Sequence, residues 1–224
     1  HWVVQDSASD SVFLDGESTR VSLALEYGLS ERWAIRIVAP YVRHGAGFLD
    51  STINDWHDMF GMSDGGRARF PSDRFAYRLN SGSESRQLTR SGEGWGDARA
   101  ELHYGFYQGS DQAASLSLGY KAPSGDEQQW LGSGAGDLYT NVQYSYQPLA
   151  MLTWHGYLGY TYAGESRLMS AQQQQHIARA GTSIDWRVAS AVSLLAQLDT
   201  HSALVDSTLG AIGDPALLLT VGAR

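Results

Sequence analysis

The fold is decided by the stretch Thr19-Arg20-Val21-Ser22-Leu23-Ala24-Leu25-Glu26-Tyr27-Gly28, because its residues separate into two chemically different sets. The odd positions carry Val21, Leu23, Leu25 and Tyr27, whereas the even positions carry Arg20, Ser22, Ala24 and Glu26. Successive residues of a strand point to opposite faces of a sheet. The stretch therefore predicts a β-strand with one apolar face and one polar face.

The same alternation recurs along the rest of the chain, and helical spacing does not account for it. The predicted strands span residues 1–6, 19–29, 31–43, 96–107, 112–122, 136–147, 150–162, 175–187, 190–202 and 215–224. Four connections are tight and contain the Gly, Pro, Ser and Asp that turns require: 28–31, 108–111, 147–149 and 188–190. The remaining connections are long, and the longest spans residues 44–95.

Short and long connections alternate strictly along the chain, as they do in outer-membrane β-barrels. In such barrels the short turns face the periplasm, so we expect both chain ends on the periplasmic side and an even strand count. Aromatic residues of the apolar face form two groups, as interfacial girdles do. They are Tyr27, Trp33, Phe106, Tyr146, Trp154 and Trp186 near the tight turns, and Tyr41, Tyr120, Tyr160 and Tyr162 near the long loops.

These patterns predict an all-β fold: one domain over residues 1–224, an antiparallel up-and-down transmembrane β-barrel in the outer membrane of a Gram-negative bacterium. We expect about ten strands and one long, partly helical extracellular loop at residues 44–95. A soluble barrel or sandwich would show the same alternation with its apolar face inside. The Gly, Ser and mixed charges of the polar face fit a lumen better than a solvent-exposed surface.

Composition excludes several classes of function. The net charge of −8 leaves no basic stripe to displace counterions, so nucleic acid is not an expected partner. The chain has no cysteine, which excludes disulfides, thiolate metal sites and thiol nucleophiles. The expected partners are lipid and lipopolysaccharide of the outer membrane, together with a small solute or an envelope protein.

A short helix is predicted within the long loop, from Asp50 to Gly61. Ile53, Trp56 and Phe60 share one of its faces, and Asp50 or the following serine can cap its start. This helix could fold into the lumen as a plug, lie on the outer leaflet, close over an apolar ligand, or merely pack on the barrel rim. The ligand or gate candidates are Phe48, Ile53, Trp56, His57, Asp58, Phe60 and Arg67.

Charged and titratable residues of the polar face are expected to form a lumen network. They are Arg20, Glu26, Arg36, Arg99, Glu101, His103, His155, Arg179, Asp185 and Asp199. Opposite charges on facing strands should pair, because an unpaired ion in a narrow lumen is costly. The network either closes the barrel as a structural element or lines a small polar channel with mixed-charge walls.

No catalytic residue, metal site or cofactor is predicted. His57 and Asp58 are adjacent in sequence, and adjacent residues do not face each other on a helix. Neither an HExxH spacing nor a Gly-x-Ser-x-Gly elbow occurs. A membrane-embedded hydrolase or acyltransferase would need His103 or His155 beside a serine on a neighbouring strand.

Several motifs carry a resemblance to a known family. They are Leu14-Asp15-Gly16-Glu17-Ser18-Thr19-Arg20, Tyr27-Gly28-Leu29, Phe48-Leu49-Asp50, Trp56-His57-Asp58-Met59-Phe60-Gly61, Gly65-Gly66-Arg67, Phe70-Pro71 and Gly94-Trp95-Gly96-Asp97. Over most of its length the chain resembles an uncharacterised family of proteobacterial outer-membrane proteins with a His-Asp-x-Phe-Gly surface loop. The resemblance implies a barrel of twelve strands in the full protein, with further residues beyond both ends of this chain, and it brings no established activity.

Two hypotheses of function follow. In the first, the barrel is a transporter or narrow pore for a small or apolar solute, gated by the loop segment 48–71. In the second, it is a closed structural barrel whose loops bind a partner protein or another envelope component. A barrel of eight to twelve strands can be nearly filled by its own side chains, so sequence alone does not decide between them.

Overall fold

The structure, a computed structural model, describes residues 2–7, 10–63, 70–81, 84–166 and 173–224. Its strands are β1 (Trp2–Asp6), β2 (Asp10–Asp15), β3 (Glu17–Gly28), β4 (Trp33–Gly45), β5 (Ala76–Ser81), β6 (Glu84–Leu88), β7 (Gly92–Trp95), β8 (Arg99–Gln108), β9 (Gln112–Lys121), β10 (Asp137–Leu149), β11 (Leu152–Ala163), β12 (His176–Ala189), β13 (Val192–His201) and β14 (Ala216–Ala223). Its helices are α1 (Asp50–Phe60) and α2 (Gly210–Gly213). No helix in these ranges has the length and apolar character needed to cross a membrane.

Ten strands form one antiparallel sheet, which is called the wall below. Its order is β14-β13-β12-β11-β10-β9-β8-β4-β3, and β7 pairs with residues 41–44 at the end of β4. Neighbours along the wall are also neighbours in the chain, apart from the long excursion between β4 and β8. This up-and-down antiparallel order and the alternation of tight turns with long loops confirm the prediction from the sequence. The described sheet has nine full-length strands and the four-residue β7, so the expected even number of spanning strands is not found in it.

The first predicted strand is not part of the wall, which corrects the expected position of the chain start. Strand β1 pairs with β2 in a separate four-stranded sheet of order β1-β2-β5-β6. Its five residues are too few to cross a bilayer, since a tilted spanning strand needs roughly 9–11. The first wall strand is therefore β3, and it runs from the long-loop end towards the tight turns.

The outward face of the wall is apolar and exposed along its whole width. Leu23 on β3 is 62% exposed and Leu158 on β11 is 69% exposed. Exposing an apolar surface of this kind to water costs free energy, whereas contact with the hydrocarbon of a membrane does not. Lipid is the solvent that fits it, so the wall is that of a transmembrane β-barrel.

Aromatic pairs mark both ends of this apolar band. Near the tight turns, the rings of Trp33 and Tyr104 stack with centroids 4.5 Å apart. Near the long loops, Tyr41 and Trp95 meet edge to face at 5.5 Å. Amphipathic rings prefer the interface between hydrocarbon and water, so these pairs give the approximate limits of the membrane.

The four-stranded sheet forms a cap at the long-loop end. Gly16, whose φ of +152° favours glycine, connects β2 of the cap to β3 of the wall. The Oγ atom of Ser18 on β3 is hydrogen-bonded to His44 Nδ1 on β4 at 2.7 Å and to the Tyr77 hydroxyl on β5 at 3.1 Å. Burial is the main reason that the pKa of Tyr77 lies above its ordinary value. A buried polar joint therefore fixes the cap on the wall.

The cap also contacts the loop before β14 at the same end of the wall. In the loop before β14, Ser207 Oγ donates a 2.7 Å hydrogen bond to Asp10 Oδ2 at the start of β2. The backbone N–H of Thr208 donates to the same carboxylate oxygen at 3.3 Å. Within the described ranges β3 and β14 do not pair with each other. The contact therefore joins the cap to the loop that precedes the last strand of the wall.

The assignment of the two faces can be tested at the middle of β11. We expect Leu158→Arg to lower the free energy of unfolding in lipid vesicles by about 2–4 kcal/mol, because it places a charge at mid-membrane. The control is Gln143→Arg on the neighbouring strand, where the added charge enters the polar face. Urea titration followed by tryptophan fluorescence measures both changes. Equal losses in the two variants would contradict the assignment of the faces.

Candidate functional site

The polar inner face of the wall is the candidate functional site. All ten residues of the predicted lumen network lie on it, opposite the exposed apolar face: Arg20, Glu26, Arg36, Arg99, Glu101, His103, His155, Arg179, Asp185 and Asp199. Those on β3 and β4 are exposed, whereas most of those on β8 to β13 are half-buried. The inner face is therefore most enclosed along β8 to β13.

Tyr139 on β10 lies flat across a glycine to reach a carboxylate two strands away. Gly119 on β9 is the register partner of both Tyr139 and Glu101, so the three form one row across three strands. The Tyr139 hydroxyl donates a 2.8 Å hydrogen bond to Glu101 Oε1. A Cβ atom on Gly119 would lie 2.2 Å from the tyrosine ring, so only glycine leaves room for this arrangement.

The same arrangement occurs twice more on the inner face. Tyr157 on β11 crosses Gly181 on β12, and its hydroxyl donates a 3.0 Å hydrogen bond to Asp199 Oδ1 on β13. A Cβ atom on Gly181 would lie 2.3 Å from the Tyr157 ring.

In the third case, Arg179 on β12 crosses Gly159 on β11, where a Cβ atom would lie 2.4 Å from Asn141 Oδ1 and 3.5 Å from Arg179 Nε. Its Nη2 donates a 3.3 Å hydrogen bond to Asn141 Oδ1 on β10. We call the three sets spanning rows: Glu101–Gly119–Tyr139, Asn141–Gly159–Arg179 and Tyr157–Gly181–Asp199.

The spanning rows keep long side chains against the wall. Two interstrand steps cover about 10 Å, which is within the reach of a tyrosine or arginine that lies along the sheet. Each crossing side chain runs sideways over a glycine and ends on a partner two strands away. The rows therefore brace six neighbouring strands, β8 to β13, with side chains that lie along the sheet.

The outer mouth of the lumen is held by a second polar cluster. Lys121 Nζ lies 3.2 Å from Asp97 Oδ2 and 2.8 Å from Asp137 Oδ2. Asp97 also accepts hydrogen bonds from the backbone N–H groups of Gly125 and Ser133, both at 2.9 Å. This cluster fixes the loop between β9 and β10 at the rim.

The predicted pairing of arginines with carboxylates is largely absent from the described part of the wall. Among the ten predicted residues the one close ionic contact is His103 Nε2 to Glu101 Oε2, at 3.1 Å. Asp185 pairs instead with Arg224 at the end of the chain. Glu101 and Asp199 receive tyrosine hydroxyls in place of guanidinium groups. Hydrogen bonds across glycines thus take the place expected for ion pairs.

The inner face also contains an incomplete version of a hydrolytic triad. Ser145 Oγ and His155 Nδ1 are 2.7 Å apart and border a polar recess of about 190 Å³. Within the described ranges no carboxylate is hydrogen-bonded to this histidine, so no group orients it as a base. His103 bonds to Glu101 but has no serine partner there. The same ranges contain no cluster of three potential metal ligands.

Helix α1 agrees with the prediction in its bounds, and Gly61 ends it with a left-handed φ of 63°. Asp50 does not cap the start as expected, because its carboxylate accepts the backbone N–H of Asp73 at 2.7 Å. Glu17 Oε1 at the start of β3 instead accepts the N–H groups of Phe48 and Leu49, at 3.0 and 2.6 Å. The first turn of the helix is therefore attached to the wall.

The apolar face of α1 remains uncovered. Trp56 and Phe60 contact each other with ring centroids 4.5 Å apart, yet they are 55% and 57% exposed. Phe48 and Asp58 are also exposed, whereas Ile53 and His57 are partly covered. The last gate candidate, Arg67, lies outside the described residues. The role of these residues as a gate stays a prediction.

The comparisons with known proteins identify a family. Residues 1–224 match the family described as "Protein of unknown function (DUF3187)". No curated protein matches the chain.

Three solved structures of membrane channels are similar at low identity. The NanC porin is 10% identical with a TM-score of 0.46, and the match covers 97% of this chain and 98% of that one. The CymD monoaromatic hydrocarbon channel is 8% identical with a TM-score of 0.48, covering 98% and 80%. The outer membrane channel DcaP of Acinetobacter baumannii is 10% identical with a TM-score of 0.39, covering 90% and 60%, so this chain spans about 60% of the length of DcaP. Similarity at this level of sequence identity and TM-score does not indicate the function of this chain.

The requirement for glycine in the spanning rows is testable by substitution. We expect Gly119→Ala to lower the free energy of unfolding by about 1–3 kcal/mol, because the new methyl group collides with the Tyr139 ring. The control is Gly105→Ala on β8, where a Cβ atom would meet nothing nearer than 3.8 Å. Adding Tyr139→Ser to Gly119→Ala should remove most of the loss. A loss that persists in the double variant would show that the ring is not its cause.

Proposed function

The chain belongs to the family of unknown function DUF3187, and we propose that it forms a narrow channel for a small polar solute. Its location is the outer membrane of a Gram-negative bacterium, where up-and-down barrels with long outer loops and short inner turns are found. The observation that carries the proposal is the set of three spanning rows. They line the inner face with polar groups whose side chains lie along the sheet.

A structural plug would be built differently. A barrel that needs no lumen can fill it with inward-pointing side chains, as small barrels do. Here the longest inward side chains in the enclosed part of the wall, including Tyr139, Tyr157 and Arg179, lie along the sheet above glycines. Glycine in a strand weakens it, so its use below all three side chains supports a lumen that has to remain open.

Helix α1 is the proposed gate. Its first turn is attached to β3 through Glu17, so the helix is held at the outer mouth. Its exposed Trp56 and Phe60 form an apolar face. In the proposed closed state this face covers the mouth, and in the open state it does not. Large exposed rings of this kind usually mark a surface that contacts something else.

The same exposed face supports the second candidate function, a closed scaffold that binds an envelope component through its loops. In that case Trp56 and Phe60 contact the partner, and the lumen conducts nothing. Conductance separates the two functions, because only a channel carries ions across a membrane.

We expect purified full-length chain in planar lipid bilayers to give a small, steady single-channel conductance in potassium chloride. The double change Trp56→Ala with Phe60→Ala should change the fraction of time spent open by twofold or more, because it removes the apolar face of the gate. The control is Asp55→Ala, an exposed residue of the same helix. Silence of the unmodified protein in repeated insertions would overturn the channel and favour the scaffold. Conductance that is insensitive to the aromatic changes would overturn the gate alone.

A further inference from the structure

We propose that Arg99 and Arg179 form a lumenal binding site for a small solute that carries one carboxylate. This inference rests on the proposed function, which it extends by naming the class of solute. It begins from two guanidinium groups on the inner face whose charges no described carboxylate neutralises.

Arg99 on β8 is half-buried, and its Nε atom is out of contact with solvent without a hydrogen-bond partner among the described residues. Its register partner is Lys121, another cation, whose ammonium is shared between Asp97 and Asp137. The carboxylates next to Arg99 are therefore engaged elsewhere. A guanidinium in this position has hydrogen-bonding capacity that protein groups in the described ranges leave unused.

Arg179 on β12 also has unused hydrogen-bonding capacity. It is half-buried, and its Nε atom is likewise buried without a partner in the part of the chain that the structure describes. Its described hydrogen bond, 3.3 Å to Asn141 Oδ1, is long and made to a neutral group, so Arg179 has no ion pair among the described residues. A half-buried guanidinium without an ion pair would be stabilised by a bound anion.

The two arginines act on the same part of the lumen. The Cζ atom of Arg179 is 5.9 Å from the centre of the Tyr139 ring. The hydroxyl of the same ring donates to Glu101, which lies two residues from Arg99 on the same face of β8. The carboxylate between them, Glu101, already accepts hydrogen bonds from Tyr139 and is in contact with His103. Glu101 is thus satisfied without either arginine, and both arginines remain available to a ligand.

The chemistry of the surroundings limits the ligand to one negative charge. A carboxylate offers two oxygens in the plane that guanidinium groups recognise best. A dianion such as phosphate would add a second charge close to Glu101, and like charges at short distance repel.

Binding can be measured without conduction, by titration calorimetry on the full chain in detergent. We expect propionate to bind and propionamide, its neutral counterpart, to bind at least tenfold more weakly. Arg99→Gln and Arg179→Gln should each weaken propionate binding tenfold or more. The control is Arg187→Gln, an exposed arginine of the same inner face near the tight turns. Arg99→Lys and Arg179→Lys, which retain the charge, keep the test valid if the glutamine variants fold poorly, and should weaken binding by a smaller factor.

Three results would overturn the site: no propionate binding, equal binding of propionamide, or binding that neither arginine variant alters. Phosphate binding tighter than propionate would overturn the assignment of a monocarboxylate. The outcomes also separate this inference from the channel. Arginine-dependent binding by a protein that is silent in bilayers would refute the channel and support the site. Steady conductance without arginine-dependent binding would support the channel and refute the site.

Discussion

Every structural feature of this protein depends on one constraint, that a backbone placed in hydrocarbon must satisfy its own hydrogen bonds. The continuous antiparallel ladder from β3 to β14 does so, without help from side chains, for every full-length strand that lies between these two. The side chains on the two faces can therefore differ in polarity. Leu23 and Leu158 face lipid, whereas polar residues face the lumen. The exposed apolar face, the two aromatic belts and the polar interior all follow from that division of roles.

The inner face combines polar groups with long side chains that lie along the wall. Tyr139, Tyr157 and Arg179 each carry a polar end on a long body, and each body lies over a glycine. Their ends then meet Glu101, Asp199 and Asn141 two strands away. The glycines weaken their strands locally, but the crossing side chains tie three strands together at each point. The side chains that connect the strands are therefore the same ones that lie along the wall.

The sequence predicted the parts of this structure that depend on positions two residues apart in one strand. The alternation in residues 19–28, the tight turns and the outward aromatics need no other information. The spanning rows depend on register, because Gly119 matters only when it lies opposite both Tyr139 and Glu101. Register is set by turns and irregularities such as the shift between Gly105 and Tyr107, which no local pattern reveals. Because register was unknown, the sequence predicted arginine–carboxylate pairs at positions where tyrosine hydroxyls bind the carboxylates. For the same reason, the buried joint of Ser18, His44 and Tyr77 was not foreseen.

The hydrogen bond between Ser207 and Asp10 joins residues that are 197 positions apart in the chain. In an unfolded chain, closing a loop of this length costs roughly 4–5 kcal/mol of entropy, which is more than one hydrogen bond returns. The pairing of the intervening strands removes most of that cost, so the contact depends on the assembled wall. A chain whose wall is incomplete therefore lacks this link between the cap and the loop before β14, and the link distinguishes a finished molecule from an unfinished one.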